Sequence, residues 1–284
     1  MISGKGGTGK TSVAASFASL ACTIKRPVLA DCDVDAPNLH LLLHPEEREV
    51  YPLRASRKAT IDPDACRHCG LCEKYCRFDA IHDGRVEPLA CEGCGLCQWV
   101  CPYQAVQMEE NLSGRWYVSD TRLGRLVHGR LEPGGENSGR LVALIRARAK
   151  ELAIQQRAAF LITDGPPGIG CPVISAISGA DLALVVTEPT LSGLHDLERV
   201  LAVCRHFQVQ TLVCINRYDL DPQGAEAIMG KCRDMGTSVI GRIPYDTAMV
   251  DAIRKGVPVV EYGDAPASQA IKDAWAAVVD YTRA

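Results

Sequence analysis

The stretch "GKGGTGKT" at residues 4–11 constrains this chain more than any other. It fits G-x-x-x-x-G-K-[ST], a loop that leaves the end of a buried strand and opens a helix. The glycines let backbone N–H groups close around phosphate oxygens, and the helix adds the positive end of its dipole. Gly4, Gly6, Gly7, Thr8, Gly9 and Ser12 shape that cradle, Lys10 reaches the β- and γ-phosphates, and the Thr11 hydroxyl takes Mg²⁺. Two points need an account. A further lysine, Lys5, stands among the glycines, and only Met1, Ile2 and Ser3 precede the loop. A strand ordinarily has about five or six residues. The expectation is therefore a native start several residues upstream, with apolar residues ahead of Ile2.

The rest of the chain shows what such a loop is built into. "PVLAD" (27–31), "AFLITD" (159–164), "ADLALVVTE" (180–188) and "VQTLVCIN" (209–216) read as short buried strands. Helical patterns at 12–22, 193–206 and 224–235 fall between or after them. That order predicts right-handed βαβ units: an α/β fold with a doubly wound, mostly parallel sheet and ligands at the strands' carboxyl ends. Only 5% of residues are aromatic, so the core draws on Val, Ile, Leu and Ala, as a sheet buried on both faces requires. Residues 110–150 are rich in arginine and are expected as solvated helix and loop surface. The net charge of −3 points away from a nucleic-acid partner, and the lack of a long apolar run points away from a membrane partner. A cytoplasmic protein is expected.

Between residues 59 and 109 the alternation breaks, and eight of the 14 cysteines appear. So many cysteines in a reducing compartment point to metal or redox chemistry. The segment is an internal repeat: "TIDPDACRHCGLCEKYCRFDAI" matches "RVEPLACEGCGLCQWVCPYQAV". C-x₂-C-x₂-C-x₃-C occurs twice, at Cys66, Cys69, Cys72 and Cys76, then at Cys91, Cys94, Cys97 and Cys101. The spacing resembles a bacterial two-cluster ferredoxin, in which the fourth cysteine of each run ligates the other cluster. The resemblance implies one [4Fe–4S] cluster on Cys66, Cys69, Cys72 and Cys101, and a second on Cys91, Cys94, Cys97 and Cys76. Arg77 departs from the usual proline after the fourth cysteine, which alters local charge. Zinc is the alternative metal, but it favours paired C-x₂-C. The insert divides an ATPase domain (1–58 and 110–284) from a small α+β, ferredoxin-like domain (59–109).

With Lys5 included, the loop resembles the deviant Walker A loop of the MinD/Mrp/nitrogenase-iron-protein superfamily of P-loop ATPases. The resemblance implies an ATP-dependent homodimer, or a heterodimer with a paralogue, in which Lys5 reaches the partner's nucleotide. The bland alternative is a solvated loop lysine. "LADCDVDAPNLHLLL" looks like the family's switch I, with Asp33 orienting the attacking water or Mg²⁺ shell and Asp31 supporting the metal through water. "LITDGPPGIGCP" looks like switch II, with Asp164 as the carboxylate acting on Mg²⁺ and a turn at Pro166, Pro167 and Gly168. In "VTEPTLSGLHDLERVL", Asp196 matches a position able to pair with the deviant lysine. Asn216 matches the adenine-reading asparagine, and Pro244 and Tyr245 the adenine-pocket segment. Cys171 occupies the spacing of a cluster ligand in the nitrogenase iron protein, but Asn137 stands where the second ligand would be. Cys171 is therefore expected as a structural or nucleotide-sensing group.

These readings imply an Mg²⁺-dependent ATPase coupling a dimer switch to electron transfer, through two [4Fe–4S] clusters, to an unidentified redox partner. The alternative is an iron–sulfur or metallocluster assembly ATPase serving a cluster-acceptor protein. A MinD-like positioning switch ranks third, because the tail "QAIKDAWAAVVDYTRA" has few basic residues and is expected to pack on the sheet.

Overall fold

The structure, a computed structural model, describes residues 1–135 and 137–283. Its strands are β1 (Val28–Asp31), β2 (Glu46–Ile61), β3 (Ile81–His82), β4 (Arg85–Val86), β5 (Val106–Asp120), β6 (Arg125–Leu131), β7 (Leu161–Asp164), β8 (Leu182–Thr187), β9 (Gln210–Asn216) and β10 (Ser238–Ile243). Its helices are α1 (Lys10–Cys22), α2 (Leu39–Leu43), α3 (Leu71–Tyr75), α4 (Leu96–Val100), α5 (Ser138–Gln155), α6 (Cys171–Ile177), α7 (Leu191–His206), α8 (Pro222–Asp234), α9 (Ala248–Arg254), α10 (Val259–Tyr262) and α11 (Pro266–Arg283). Two compact units result. The first comprises Met1–Val50, Trp116–Arg130 and Ser138–Ala284; the second comprises Tyr51–Arg115 and Leu131–Asn137. The chain passes from one to the other within β2, within β5, within β6 and before α5.

One sheet runs β2-β5-β6-β1-β7 and another, in the first unit, β10-β9-β8. Pairing of β1 with β6 and β7, and of β9 with β8 and β10, is parallel. Residues 1–3 supply the missing position between the sheets. Ile2 bridges Val185 and Ser3 bridges Pro167, both in parallel. Two helices, α7 and α8, start at side-chain caps that the sequence provides. Thr190 Oγ1 accepts from Gly193 N at 2.9 Å, and Asp221 Oδ1 accepts from Gly224 N at 2.9 Å. Each capped amide would otherwise lack an intrahelical partner.

One expectation requires correction. Residues 110–150 are not helix and loop at their start; they continue β5, form β6, and become helical only at α5. Between the arginines, the adjacent pairs Tyr117–Val118 and Leu126–Val127 are buried. Their charges are met at the surface, as Arg125 is by Asp120 at 3.4 Å and Arg122 by Glu261 at 2.6 Å.

The C-terminal helix packs on the sheet, as its pattern predicts. Ile271, Trp275, Val278 and Val279 are buried in the core with Phe17 and Leu212. The Trp275 ring meets Phe17 and Phe160 edge-on, each with centroids 5.0 Å apart. No described helix is long and apolar enough to cross a membrane.

Trp275→Ala is expected to cost about 3–5 kcal/mol in urea denaturation, because the ring's neighbours cannot close the space. A second expectation concerns pH. His128 is stacked on Tyr117 with centroids 5.0 Å apart, and its Nε2 is 2.9 Å from Ser119 Oγ. Burial, then the charges of His40 and Arg130, push the His128 imidazole down to about 4. Between its ordinary value and about 4 the unfolded chain binds the proton that the folded chain refuses. Stability therefore falls as pH drops through that window, by up to about 3 kcal/mol. In His128→Gln this component is absent, and the stability difference from wild type narrows between pH 7 and pH 4.5.

Candidate functional site

The phosphate loop is formed between the bridge at residues 1–3 and α1. Gly9 caps α1 with φ 86°, a left-handed conformation that side chains resist. It also lies under Asn216: a Cβ at Gly9 would stand 2.4 Å from Asn216 Nδ2. That amide nitrogen donates to the Thr8 carbonyl at 2.8 Å. Asn216, expected to read adenine, therefore buttresses the loop from the end of β9. Gly4 is pressed equally close to Asp196, whose Cβ would be 2.4 Å away from an added Cβ.

Lys10 and Thr11 both converge on Asp164. Lys10 Nζ is 2.7 Å from Asp164 Oδ1, and the Thr11 hydroxyl donates to Oδ2 at 2.7 Å. Lys10 is 6% exposed and Asp164 1%, so the pair is shielded from water. Parallel register sets Asp31 beside Asp164 at the ends of β1 and β7. Burial, and next the Asp164 carboxylate, hold the Asp31 carboxyl above its ordinary range. Asp31 also accepts from Asp33 N at 3.1 Å and from Leu39 N at 3.1 Å, closing the loop that precedes α2. Asp33 is half-buried, and burial raises its carboxyl too, against the pull of Lys10. Asp35 is exposed.

Lys5 does not pair with Asp196. Its Nζ is 2.6 Å from Glu188 Oε1, and it donates to Thr190 Oγ1 at 3.2 Å and Ser192 Oγ at 3.1 Å. Glu188 also takes Arg217 at 3.1 Å. Asp196 instead faces Arg199 at 3.8 Å and His195 at 3.9 Å. Glu188 was the residue missed. Its signal was a carboxylate ending an apolar strand, as at Asp31 and Asp164. Pro244 is half-buried and Tyr245 exposed; the Tyr245 amide donates to Asp219 Oδ1 at 2.7 Å. Ser12 is half-buried on α1, where its carbonyl accepts from Ser16 Oγ at 2.7 Å. Cys171 is exposed at the start of α6, and a Cβ on Gly139 would lie 3.3 Å from its Cβ. Asn137 Nδ2 donates to the Ala55 carbonyl at 2.8 Å.

In the second unit, Gly70 and Gly95 start the short helices α3 and α4 with φ 74° and 76°. Each helix carries the third cysteine of its run. Cys66, Cys69, Cys72 and Cys101 line one cavity, and Cys76, Cys91, Cys94 and Cys97 line another. Ala80 N donates to Cys76 Sγ at 3.4 Å. Burial raises the thiols of Cys72 and Cys97. Among the described residues, no three His, Cys, Asp or Glu side chains are grouped to hold a single metal ion.

A glycine-rich loop opening a helix, with its lysine and threonine on the carboxylate of a neighbouring parallel strand, defines a phosphate-loop nucleotide-binding protein. Residues 1–259 match the CobQ/CobB/MinD/ParA nucleotide binding domain, and the chain belongs to that family. It is 39% identical over 218 residues to an uncharacterized protein of Methanocaldococcus jannaschii, covering 76% of each chain. It is 27% identical over 128 residues to an iron-sulfur cluster carrier protein of Pyrococcus furiosus, covering 40% of this chain and 43% of that one. The fold is similar to that of the septum site-determining protein MinD of Pyrococcus horikoshii complexed with Mg-ADP. The TM-score is 0.62 at 20% identity, covering 99% of this chain and 96% of that one.

Gly9→Ala is expected to destabilise the protein by about 1–2 kcal/mol through left-handed strain alone, and to weaken binding of a fluorescent ATP analogue at least tenfold (~1.4 kcal/mol). Gly6→Ala, where an added Cβ meets nothing within 4 Å, is the control. Equal melting temperatures and affinities for the two variants would contradict the arrangement.

Proposed function

We propose that this chain binds and hydrolyses ATP with Mg²⁺ as a dimer, and couples that switch to electron transfer through two [4Fe–4S] clusters to a redox partner. The observation that supports it most is the partition of eight cysteines into two four-thiol cavities, in a chain with a formed phosphate loop. Each cavity draws three thiols from one half of the repeat and one from the other. A cubane needs four thiolates set around several atoms, so the donor set fits it. A single zinc ion needs four ligands converging on one point. When bound, such a cluster supplies a one-electron couple. The chain's own part is to present thiolates, to donate Ala80 N–H to Cys76 Sγ, and to line the second cavity with Phe78 and Met108. The insert, residues 59–109, is the ferredoxin-like domain on this reading.

At the other site, ATP phosphates take Lys10 from Asp164, and Thr11 and Asp164 turn to Mg²⁺. Asp33 orients the attacking water, and Asp31 holds the loop that carries Asp33. Catalysis of this kind is positioning and charge neutralisation. Asn216 and Pro244 flank the base. Lys5 leaves Glu188 and reaches the nucleotide of the partner, either a second copy or a paralogue, with Asp196 and Cys171 near the face that responds.

A second reading, delivery of a cluster to an acceptor protein, is favoured by the partial match to the Pyrococcus furiosus carrier protein. A positioning role like that of MinD is supported by the fold and by sequence similarity to MinD proteins over about nine-tenths of the chain; against it, the C-terminal helix is committed to the core.

Lys10→Ala is expected to abolish ATP turnover. Lys5→Ala keeps nucleotide binding by the monomer but loses dimer-dependent turnover about 10²-fold or more. Phosphate release and equilibrium binding measure the two effects, and wild-type turnover in both variants would refute the assignments. Anaerobic protein is expected to carry about eight irons. Electron transfer to a partner that is indifferent to Mg-ATP counts against coupling, and loss of iron to an apo-acceptor favours delivery.

A further inference from the structure

The two cysteine cavities come from one repeat, yet their charged surroundings differ. Around Cys76, Cys91, Cys94 and Cys97, two guanidinium groups are fastened to residues of the cavity wall. Arg57 Nη2 donates to the Met108 carbonyl at 2.7 Å, and Arg77 Cζ lies 4.9 Å from the centroid of the Phe78 ring. Met108 and Phe78 both line this cavity, whose own carboxylate is Glu92. Lys58 Nζ donates to the carbonyl of Cys91. Around Cys66, Cys69, Cys72 and Cys101, the charged lining groups are Arg67, Glu73 and Asp83. Those two carboxylates stay together, because Asp83 N donates to Glu73 Oε2 at 3.1 Å; His68 Nδ1 stands 3.6 Å from Asp83.

Reduction of a cluster adds one negative charge to its site. Fixed cations nearby favour that state, and carboxylates oppose it. We propose that the cavity of Cys76, Cys91, Cys94 and Cys97 is the higher-potential of the two sites, that an electron given to the chain settles there, and that Arg57 and Arg77 set the difference. This rests on the cluster reading above. In the exchange a one-electron reductant loses an electron and the site gains it; no bond forms or breaks and no proton moves. Both arginines are exposed, but the anchoring of their guanidiniums on wall residues holds them near the site. The arginine that replaces the usual proline after Cys76 thereby acquires a role.

The test uses the full-length protein, reconstituted anaerobically, with iron and sulfide counted. It is titrated with dithionite at pH 8 and low salt and followed by electron paramagnetic resonance. The wild type should show two separate reduction waves. Arg57→Gln and Arg77→Gln should each move the higher wave to lower potential, with about a fivefold loss in preference for that site, and leave the lower wave in place. Glu73→Gln with Asp83→Asn should move the lower wave up instead. High salt should narrow the gap in the wild type, a measurement that needs no variant. The proposal is overturned if the arginine variants move the lower wave or neither wave, or if the loaded wild type reduces in a single wave. Wild-type protein that takes up no iron or sulfide would instead overturn the cluster reading itself.

Discussion

Two sheets are joined by three residues. Ile2 donates to Leu184 O at 3.0 Å and accepts from Val186 N at 2.9 Å on one side. On the other, Met1 O accepts from Gly165 N and Ser3 O from Gly168 N, both at 2.8 Å. These bonds match backbone groups buried away from water, which would otherwise be costly. The phosphate loop begins at the next residue, so its position follows from this clamp. The same bonds tie the loop's entry to the turn after Asp164, the segment expected to respond to a γ-phosphate. A strand too short to be noticed in the sequence thus locates both halves of the nucleotide site.

The site's electrostatics follow from the strands it sits on. Parallel register brings the carboxylates of Asp31 and Asp164 side by side in a buried place. Like charges there are costly unless a cation intervenes. Lys10 meets Asp164, and Asp31 is served by two backbone amides. The ammonium of Lys10 is held by a single carboxylate at the end of β7. Lys5 is held similarly, by Glu188 and two hydroxyls of the segment that starts α7. Both lysines are thus parked on carboxylates that end parallel strands, β7 for one and β8 for the other. In the second unit the same logic applies to thiols: two short helices, each begun by a left-handed glycine, bring cysteines from distant positions around shared spaces.

Much of this was legible in the sequence. Short apolar runs ended by carboxylates marked β1, β7 and β8, and helical patterns marked α7 and α8. Their signals are local: periodicity, caps and glycines lie within a few residues of the effect. Strands β2, β5 and β6 were not read, because arginine and glutamate at exposed positions outnumber the buried apolar residues and break up the apolar pattern. The partner of Lys5 was misjudged for a related reason. Glu188 and Asp196 lie eight residues apart, Asp196 beside Gly4 and Glu188 beside Lys5, and only the fold decides which faces the ammonium. Asn216 was noticed, but its bond to the Thr8 carbonyl depends on β9 ending beneath the loop.

By itself the sequence determined the chemistry on offer: a phosphate loop with its lysine and threonine, acidic strand ends, and eight cysteines in a duplicated run. Such features depend on residue type and short spacing, which a linear string carries. The tertiary structure alone decided which of these groups meet. It set Asp31 against Asp164 through strand register, gave Lys5 to Glu188, and turned Asn216 into a support for the loop. It also placed Arg57, fifty-one residues before Met108, on the wall of one cysteine cavity and not the other. Contacts of that range are fixed by how strands pair and helices pack, and no local pattern encodes them.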